Sequence, residues 1–349
     1  MSNTTLEDTA RAMVSPGKGL FAADVYTSGA QNGFVEGFWG DMPSPNDDAT
    51  ARNFQEMLLR TPGLGEYISG IILFEDVLDQ TSSDGTGFAD LIERQGIMFG
   101  ITPTTGWQLF GGAEREYFPL GIEGLPKRLR TWRNRGARFV KWRIPAIVGP
   151  GLPTERAIVS NARNVAEVAA LAQAAGLVPI VEPEVEMKGD HDIARQYEVT
   201  EWFLHAVFDA LYEHGVLLEG IVLKTNMVVS GSNCPDQADA QTVAQETIKC
   251  LRRTLPPAVP GVGFLSGGLS DVDSTAYLNA INAQGPQPWS LTFSYGRALG
   301  RAAMEQWDGK PNDSSGQPAL AHRVRMNGLA STGEWSPDLE KEVNAAQAS

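Results

Sequence analysis

The chain has 349 residues, 42% of them hydrophobic and 20% charged, with a formal net charge of −14. That length can bury a large core, and the acidic balance excludes general nucleic-acid or anionic-membrane binding while leaving room for a small anionic substrate in a locally positive pocket. Two cysteines, Cys234 and Cys250, without CxxC spacing exclude a disulfide scaffold. No apolar run reaches the ~18–20 residues of a membrane span. The start MSNTTLEDTARAM carries acids where a signal peptide needs an apolar core, so a cytoplasmic location is expected.

In chain order, short apolar runs alternate with stretches of helical period. Strands are predicted at 19–24, 68–74, 97–102, 138–144, 178–183, 220–226, 262–266 and 289–295. These runs are nearly continuous, as in parallel strands buried on both faces. Helices are predicted at 47–60, 154–175, 190–214, 236–255, 271–283 and 297–307. Their starts carry Thr154, Asp190, Asp236 or Asp271, and two of them stop at Gly176 and Gly215. Eight βα units imply a single-domain (β/α)8 TIM barrel over 1–349. An open doubly wound sheet is disfavoured because no GxGxxG follows the first strand. The stretch 25–46, rich in Gly, Pro and aromatics, reads as a loop insertion, and a C-terminal tail is expected from about 309.

Barrel active sites lie at the C-terminal ends of the strands. The polar residues expected there are Asp24, Lys141, Arg143, Glu182, Glu184, Lys224, Ser266, Ser294, Gly296 and Arg297. Any one of them could be a satisfied ion pair. A whole set of charges on one face of a barrel points instead to chemistry. A lysine crowded by another cation and partly buried loses its proton more easily and can attack a ketone. The resulting iminium is an electron sink that lets an adjacent carbon–carbon bond break or form. Glu182 and Glu184 are placed to shuttle protons, and Asp24 to take a hydroxyl proton as the bond cleaves.

The segment GFLSGG (263–268) and the run SYGRAL (294–299) suit a phosphate. Their glycines expose N–H groups, and Arg297 offers a planar fork of donors. The four histidines, His191, His205, His214 and His322, show no HxH or HExxH spacing, so no metal is expected, and GDHD (189–192) reads as a helix start. No GxSxG or Walker A motif is present.

These residues resemble the class I fructose-bisphosphate aldolases of animals and plants. The resemblance covers roughly 11–335 and rests on SPGKGLFAAD (15–24), FVKWR (139–143), VPIVEPE (178–184), GDHD (189–192), LEGIVLKTNMV (218–228), RRTLPPAV (252–259), FLSGG (264–268) and LTFSYGRAL (291–299). It implies that Lys224 is the Schiff-base lysine, Glu182 the main proton shuttle, and Asp24 the group acting at the scissile hydroxyl. Lys141 and Arg143 would polarise the same region. Ser266, Gly267, Ser294, Gly296 and Arg297 would hold the phosphate of dihydroxyacetone phosphate. No cofactor and no metal is implied, and a homo-oligomer, tetramer or dimer, is.

The departures concern the far end of the substrate. The family continues its first strand with Asp-Glu-Ser-Thr-Gly-Ser and a basic pair, whereas this chain has Asp24-Val25-Tyr26-Thr27-Ser28-Gly29 and then AQNGFVEGFWGDM (30–42), which lacks Lys and Arg. The family's lysine at the end of the third strand is replaced by Thr102. The family's terminal tyrosine is absent, the chain ending in Ala-Ala-Gln-Ala-Ser. Losing two or three charge-assisted hydrogen bonds, at roughly 1.5–3 kcal/mol each, weakens recognition of a distal phosphate by orders of magnitude. The expectation is therefore an aldolase joining dihydroxyacetone phosphate to an unphosphorylated aldehyde, with a hydrophobic one fitting the aromatic residues, as in specialised metabolism. Tyr26, Phe34, Phe38, Trp39, Thr102 and Trp107 would line the aldehyde pocket, unless the rings merely pack the loop. The alternatives are an ordinary glycolytic fructose-1,6-bisphosphate aldolase using other donors such as Arg52 or Lys310, a non-catalytic scaffold keeping the fold, and an iminium enzyme with a different outcome.

Overall fold

The computed structural model describes residues 5–26 and 48–341. The elements run α1 (Leu6–Met13), β1 (Gly19–Ala22), a 3-10 turn (Ala23–Tyr26), α2 (Asp48–Leu59), α3 (Leu64–Tyr67), β2 (Ile68–Phe74), α4 (Phe88–Arg94) and β3 (Met98–Thr102). Next come β4 (Gly106–Leu109), β5 (Tyr117–Leu120), α5 (Leu125–Asn134), β6 (Phe139–Ala146), α6 (Glu155–Ala174), β7 (Val178–Val185) and α7 (Ile193–Glu213). The chain then forms β8 (Val222–Thr225), α8 (Ala240–Thr254), β9 (Gly261–Phe264), α9 (Asp271–Asn282), β10 (Ser290–Tyr295), α10 (Arg297–Gln306) and α11 (Gln317–Ala330).

Eight parallel strands close into one barrel in the order β1-β10-β9-β8-β7-β6-β3-β2, with β1 paired to β2. All eight predicted strands are there, shifted by a few residues at their ends. Alternation along each strand decides which side chains face the axis. Leu20, Ala22, Ile72, Phe139, Val178, Ile180 and Val222 pack together as an inner cluster. Ala10, Met13 and Val14, from α1 and its C-cap, join them and so cover the N-terminal end of the barrel. The Ser69 hydroxyl ties this plug down by donating to the Met13 carbonyl at 2.6 Å. Val140, Trp142, Ile144, Val181 and Leu223, at alternate positions, face outward into the larger core between strands and helices.

Phe139 is the residue that fills the barrel axis, and glycines make room for it. A Cβ on Gly100, its register partner on β3, would lie 2.1 Å from the Phe139 ring, and one on Gly70 would lie 2.9 Å from it. Neither clash can relax cheaply, because the obstacle is a ring wedged among buried neighbours. We expect Gly100→Ala to destabilise the fold by about 1–3 kcal/mol through overpacking, read as a lower midpoint in urea unfolding.

Helix starts follow the capping rule. Thr154, Asp192, Asp239 and Ser270 each accept a hydrogen bond from the third residue of the following helix. The starts expected at Asp190 and Asp236 therefore fall later, whereas α9 begins at Asp271 as expected, with Ser270 as its cap. Three features depart from the sequence reading. Helices α1, α3, α4 and α5 were not predicted, although Leu125, Leu129 and Trp132 are buried at helical spacing on α5. The antiparallel pair β4–β5, with Gly106 opposite Leu120, was not predicted either. The expected tail from about 309 contains α11, which buries Leu320, Val324 and Met326, so much of it is folded helix. Most of the expected insertion 25–46, with Phe34, Phe38 and Trp39, lies outside the described residues. No described helix is long and apolar enough to cross a membrane.

Candidate active site

The inward alternation that places Phe139 on the axis places Lys141 and then Arg143 above it on β6. On β7 the same period of two carries Ile180, then Glu182, then Glu184. Arg143 is level with Glu182, and Lys224 on β8 is level with Gly263 on β9. Asp24 stands in the turn that ends β1. All of these side chains are buried or nearly so at the C-terminal mouth.

They form two clusters. In the first, Lys141 pairs with the Asp24 carboxylate and lies 3.5 Å from Glu182 Oε2, while Lys224 Nζ lies 3.0 Å from Glu182 Oε1. The result is a chain of alternating charge, Asp24–Lys141–Glu182–Lys224, with each member under a tenth exposed. In the second, Arg143 pairs with Glu184 and lies 3.6 Å from Glu186 Oε1. The residues alone placed both Glu182 and Glu184 to shuttle protons, and the resemblance made Glu182 the main one. The structure separates them: Glu182 touches the lysine, and Glu184 is held by Arg143. Glu186 was missed, although its spacing of two from Glu184 continues the inward face and its N–H extends the ladder by donating to the Ala146 carbonyl.

The charges shift one another in opposite directions. Burial pushes Lys224 down, the neighbouring Lys141 ammonium adds to that, and Glu182 and Asp24 only partly oppose it, so its amine is easier to deprotonate than an ordinary lysine. Burial also works against the Lys141 ammonium, but the Asp24 and Glu182 carboxylates outweigh it and hold Lys141 above the usual lysine range. Burial alone would raise Asp24, yet Lys141 and Lys224 keep its carboxyl below the usual range. Glu184 is likewise held down against burial by Arg143, whereas burial raises Glu186. Of two buried lysines, one keeps its proton and the other is primed to lose it. That is the division of labour an amine nucleophile beside a fixed cation requires.

The expected phosphate residues also come together. Ser266 and Gly267 follow β9, Ser294 sits on β10, and Gly296 and Arg297 open α10. Gly267 has a φ of +59°, and a Cβ there would meet Met187 Sδ at 2.6 Å, so this turn accepts only glycine. The Arg297 guanidinium lies 3.9 Å from where a Gly268 Cβ would be. Gly296 caps α10 without a side-chain acceptor, which leaves first-turn N–H groups for an anion. Burial lowers Arg297 from its ordinary value against the pull of Glu184. Ser294 Oγ is buried without a hydrogen-bond partner among the described residues.

Of the residues expected to line an aldehyde pocket, Tyr26, Thr102 and Trp107 are described. Tyr26 is fully buried, its ring against Phe21 and Phe54 and its hydroxyl donating to the Gly296 carbonyl at 2.8 Å. It packs behind β1 instead of lining a pocket, because the turn after Ala22 carries it outward. Thr102 donates to Asp24 Oδ2 at 2.7 Å. Trp107 rides on the β4–β5 hairpin with the Arg143 guanidinium 5.4 Å from its ring centroid. Phe38 and Trp39 lie outside the described residues. Arg52 donates to the Thr81 carbonyl, and Lys310 pairs with Asp308, so both are engaged with outer loops. Among the described residues, no group of three or more His, Cys, Asp or Glu is placed to hold a metal ion.

Comparison with known proteins agrees with this geometry. The family model of class I fructose-bisphosphate aldolase matches residues 5–349. Fructose-bisphosphate aldolase 1 of Toxoplasma gondii is 43% identical over 95% of this chain and 90% of its own length. Fructose-bisphosphate aldolase of Dictyostelium discoideum is 40% identical over 94% of this chain and 92% of its own. A solved structure of fructose-bisphosphate aldolase from Plasmodium falciparum, in complex with TRAP and a small molecule inhibitor, superposes with a TM-score of 0.89 at 39% identity, covering 95% of each chain. A buried lysine–carboxylate chain at the mouth of an eight-stranded barrel, within a match that spans nearly the whole chain, places this protein in the class I fructose-bisphosphate aldolase family of lyases.

Proposed function

We propose that the protein catalyses the reversible aldol cleavage of fructose 1,6-bisphosphate through an iminium on Lys224. The observation that carries the chemistry is the Lys224 amine, buried, depressed in basicity and 3.0 Å from Glu182. The names of the full-length relatives support the substrate. The amine adds to the ketone carbon, and Glu182 donates the proton that lets the carbinolamine lose water as the iminium forms. Asp24 then accepts the proton of the hydroxyl beyond the scissile bond. The C–C bond breaks, the aldehyde leaves, and the bond's electron pair moves into the iminium to give an enamine. Protonation of that carbon and hydrolysis return dihydroxyacetone phosphate and the free amine. Ser266, Gly267, Ser294, Gly296 and Arg297 would hold the phosphate of this half.

A second reading, an unphosphorylated aldehyde partner, is favoured by one feature of the mouth. Thr102, a neutral residue, ends β3, and the nearby Arg143 faces two carboxylates, Glu184 and Glu186. A phosphate arriving there meets a cation already compensated. Steady-state kcat/KM for fructose 1,6-bisphosphate against fructose 1-phosphate separates the two. We expect a preference of roughly a hundredfold or more for the bisphosphate if its second phosphate finds two charged donors. A ratio near unity selects the second reading. The same proposal takes in a homo-oligomer, tetramer or dimer, and a cytoplasmic location. The assembly rests on the resemblance, and sedimentation velocity tests it.

A further inference from the structure

Among the described residues, Asp24 receives two donors on one oxygen and none on the other. Lys141 and the Thr102 hydroxyl both donate to Oδ2, while Oδ1 is buried without a hydrogen-bond partner among the described residues. Thr102 is 6% exposed and is the last residue of β3, level with Phe74 of β2. Its hydroxyl reaches the carboxylate from the β3 side, while the ammonium reaches it from β6. Two donors arriving from different strands fix both the position and the rotation of the carboxylate, where one alone would leave it free to turn. The unpartnered oxygen is then the one a substrate hydroxyl would meet.

We propose that Thr102 is a positioning residue that locks Asp24 with Oδ1 presented as the base, so that the side chain expected to line an aldehyde pocket serves proton transfer instead. This rests on the reading of Asp24 as the base in C–C cleavage. A carboxylate that accepts a hydrogen bond from a buried hydroxyl is stabilised in its charged form. Losing that bond therefore both loosens the base and makes it easier to protonate.

The test compares Thr102→Val, which keeps the shape and removes the hydroxyl, with Thr102→Ser, which keeps the hydroxyl. Cleavage of fructose 1,6-bisphosphate and of fructose 1-phosphate is measured against pH, alongside borohydride trapping of dihydroxyacetone phosphate on Lys224. For Thr102→Val we expect kcat to fall about tenfold or more, the scale of a hydrogen bond to a charged group. Its acid limb should shift to higher pH, KM should change little, and trapping should stay at the wild-type level. Thr102→Ser should restore both kcat and the limb. Equal loss in both variants, or a Val variant with an unmoved limb, overturns the proposal in favour of simple packing. A wild-type protein that traps no adduct and cleaves neither substrate, or an Asp24→Asn variant that cleaves normally, would instead defeat the underlying reading.

Discussion

Replacing Lys224 with methionine is expected to abolish both turnover and the borohydride-trapped adduct, with turnover falling by roughly four orders of magnitude or more, the scale seen when a covalent nucleophile is removed. The protein should still fold. Methionine fills a similar volume, and Glu182, which loses its 3.0 Å partner, keeps the Lys141 ammonium at 3.5 Å. Lys224→Arg supplies the second half of the test. It restores a positive charge beside Glu182 but offers no amine that can lose its proton near neutral pH. If the arginine variant recovers activity, Lys224 acts as a charge and the iminium reading fails. In the wild-type protein, the trapping rate should climb with pH below the ordinary lysine range of ~10.4, because burial and the Lys141 ammonium both favour the free amine. A non-catalytic scaffold would show no adduct at any pH.

The barrel was legible in the sequence because its strands are buried on both faces and read as near-continuous apolar runs, from ISGIILF to LTFSY. The charges that broke those runs were legible for the same reason. Lys141, Glu182 and Lys224 each sit where a hydrophobic residue would otherwise face the axis, so their strand context fixed their direction. What the sequence could not show was which charge would meet which. Glu182 and Glu184 are both inward on β7, and only the stagger between strands puts one against Lys224 and the other against Arg143. Of the two readings left open for Tyr26, its burial favours packing: the chain leaves the strand period at Ala23 and enters a 3-10 turn, so strand alternation no longer gives its direction. The β4–β5 hairpin escaped because its residues are half exposed and carry no run of apolar alternation, although it brings Trp107 to Arg143. Thr102 was assigned to a pocket by its position alone, and its bond to Asp24 spans elements 78 residues apart in the chain.

Lys141→Met should separate the electrostatic contribution of the site from its nucleophile. The variant keeps Lys224 but removes the ammonium between Asp24 and Glu182. Breaking a buried pair by removing one partner costs about 3–5 kcal/mol when the other charge is left uncompensated. Thr102 and Lys224 remain to share that burden, so the lower end of the range is expected in urea unfolding at neutral pH. The pH dependence has a definite sign. Asp24 is held below its unfolded value and thus contributes stability above the ordinary carboxylate range, which fades as pH falls through its folded value. Lys141 is held above its unfolded value and contributes below the ordinary lysine range, fading as pH rises through its folded value. The gap between wild type and variant should therefore be widest between those limits and close toward either extreme. Chemistry should suffer from two directions at once. Without the neighbouring cation Lys224 regains basicity, so the trapping rate rises only at higher pH than in the wild type. Without its ion partner Asp24 is easier to protonate, so the acid limb of cleavage also moves up. A variant that loses stability while both limbs stay in place would mean that Lys141 serves folding alone. A variant that moves both limbs upward would show that one ammonium sets the nucleophile and the base together.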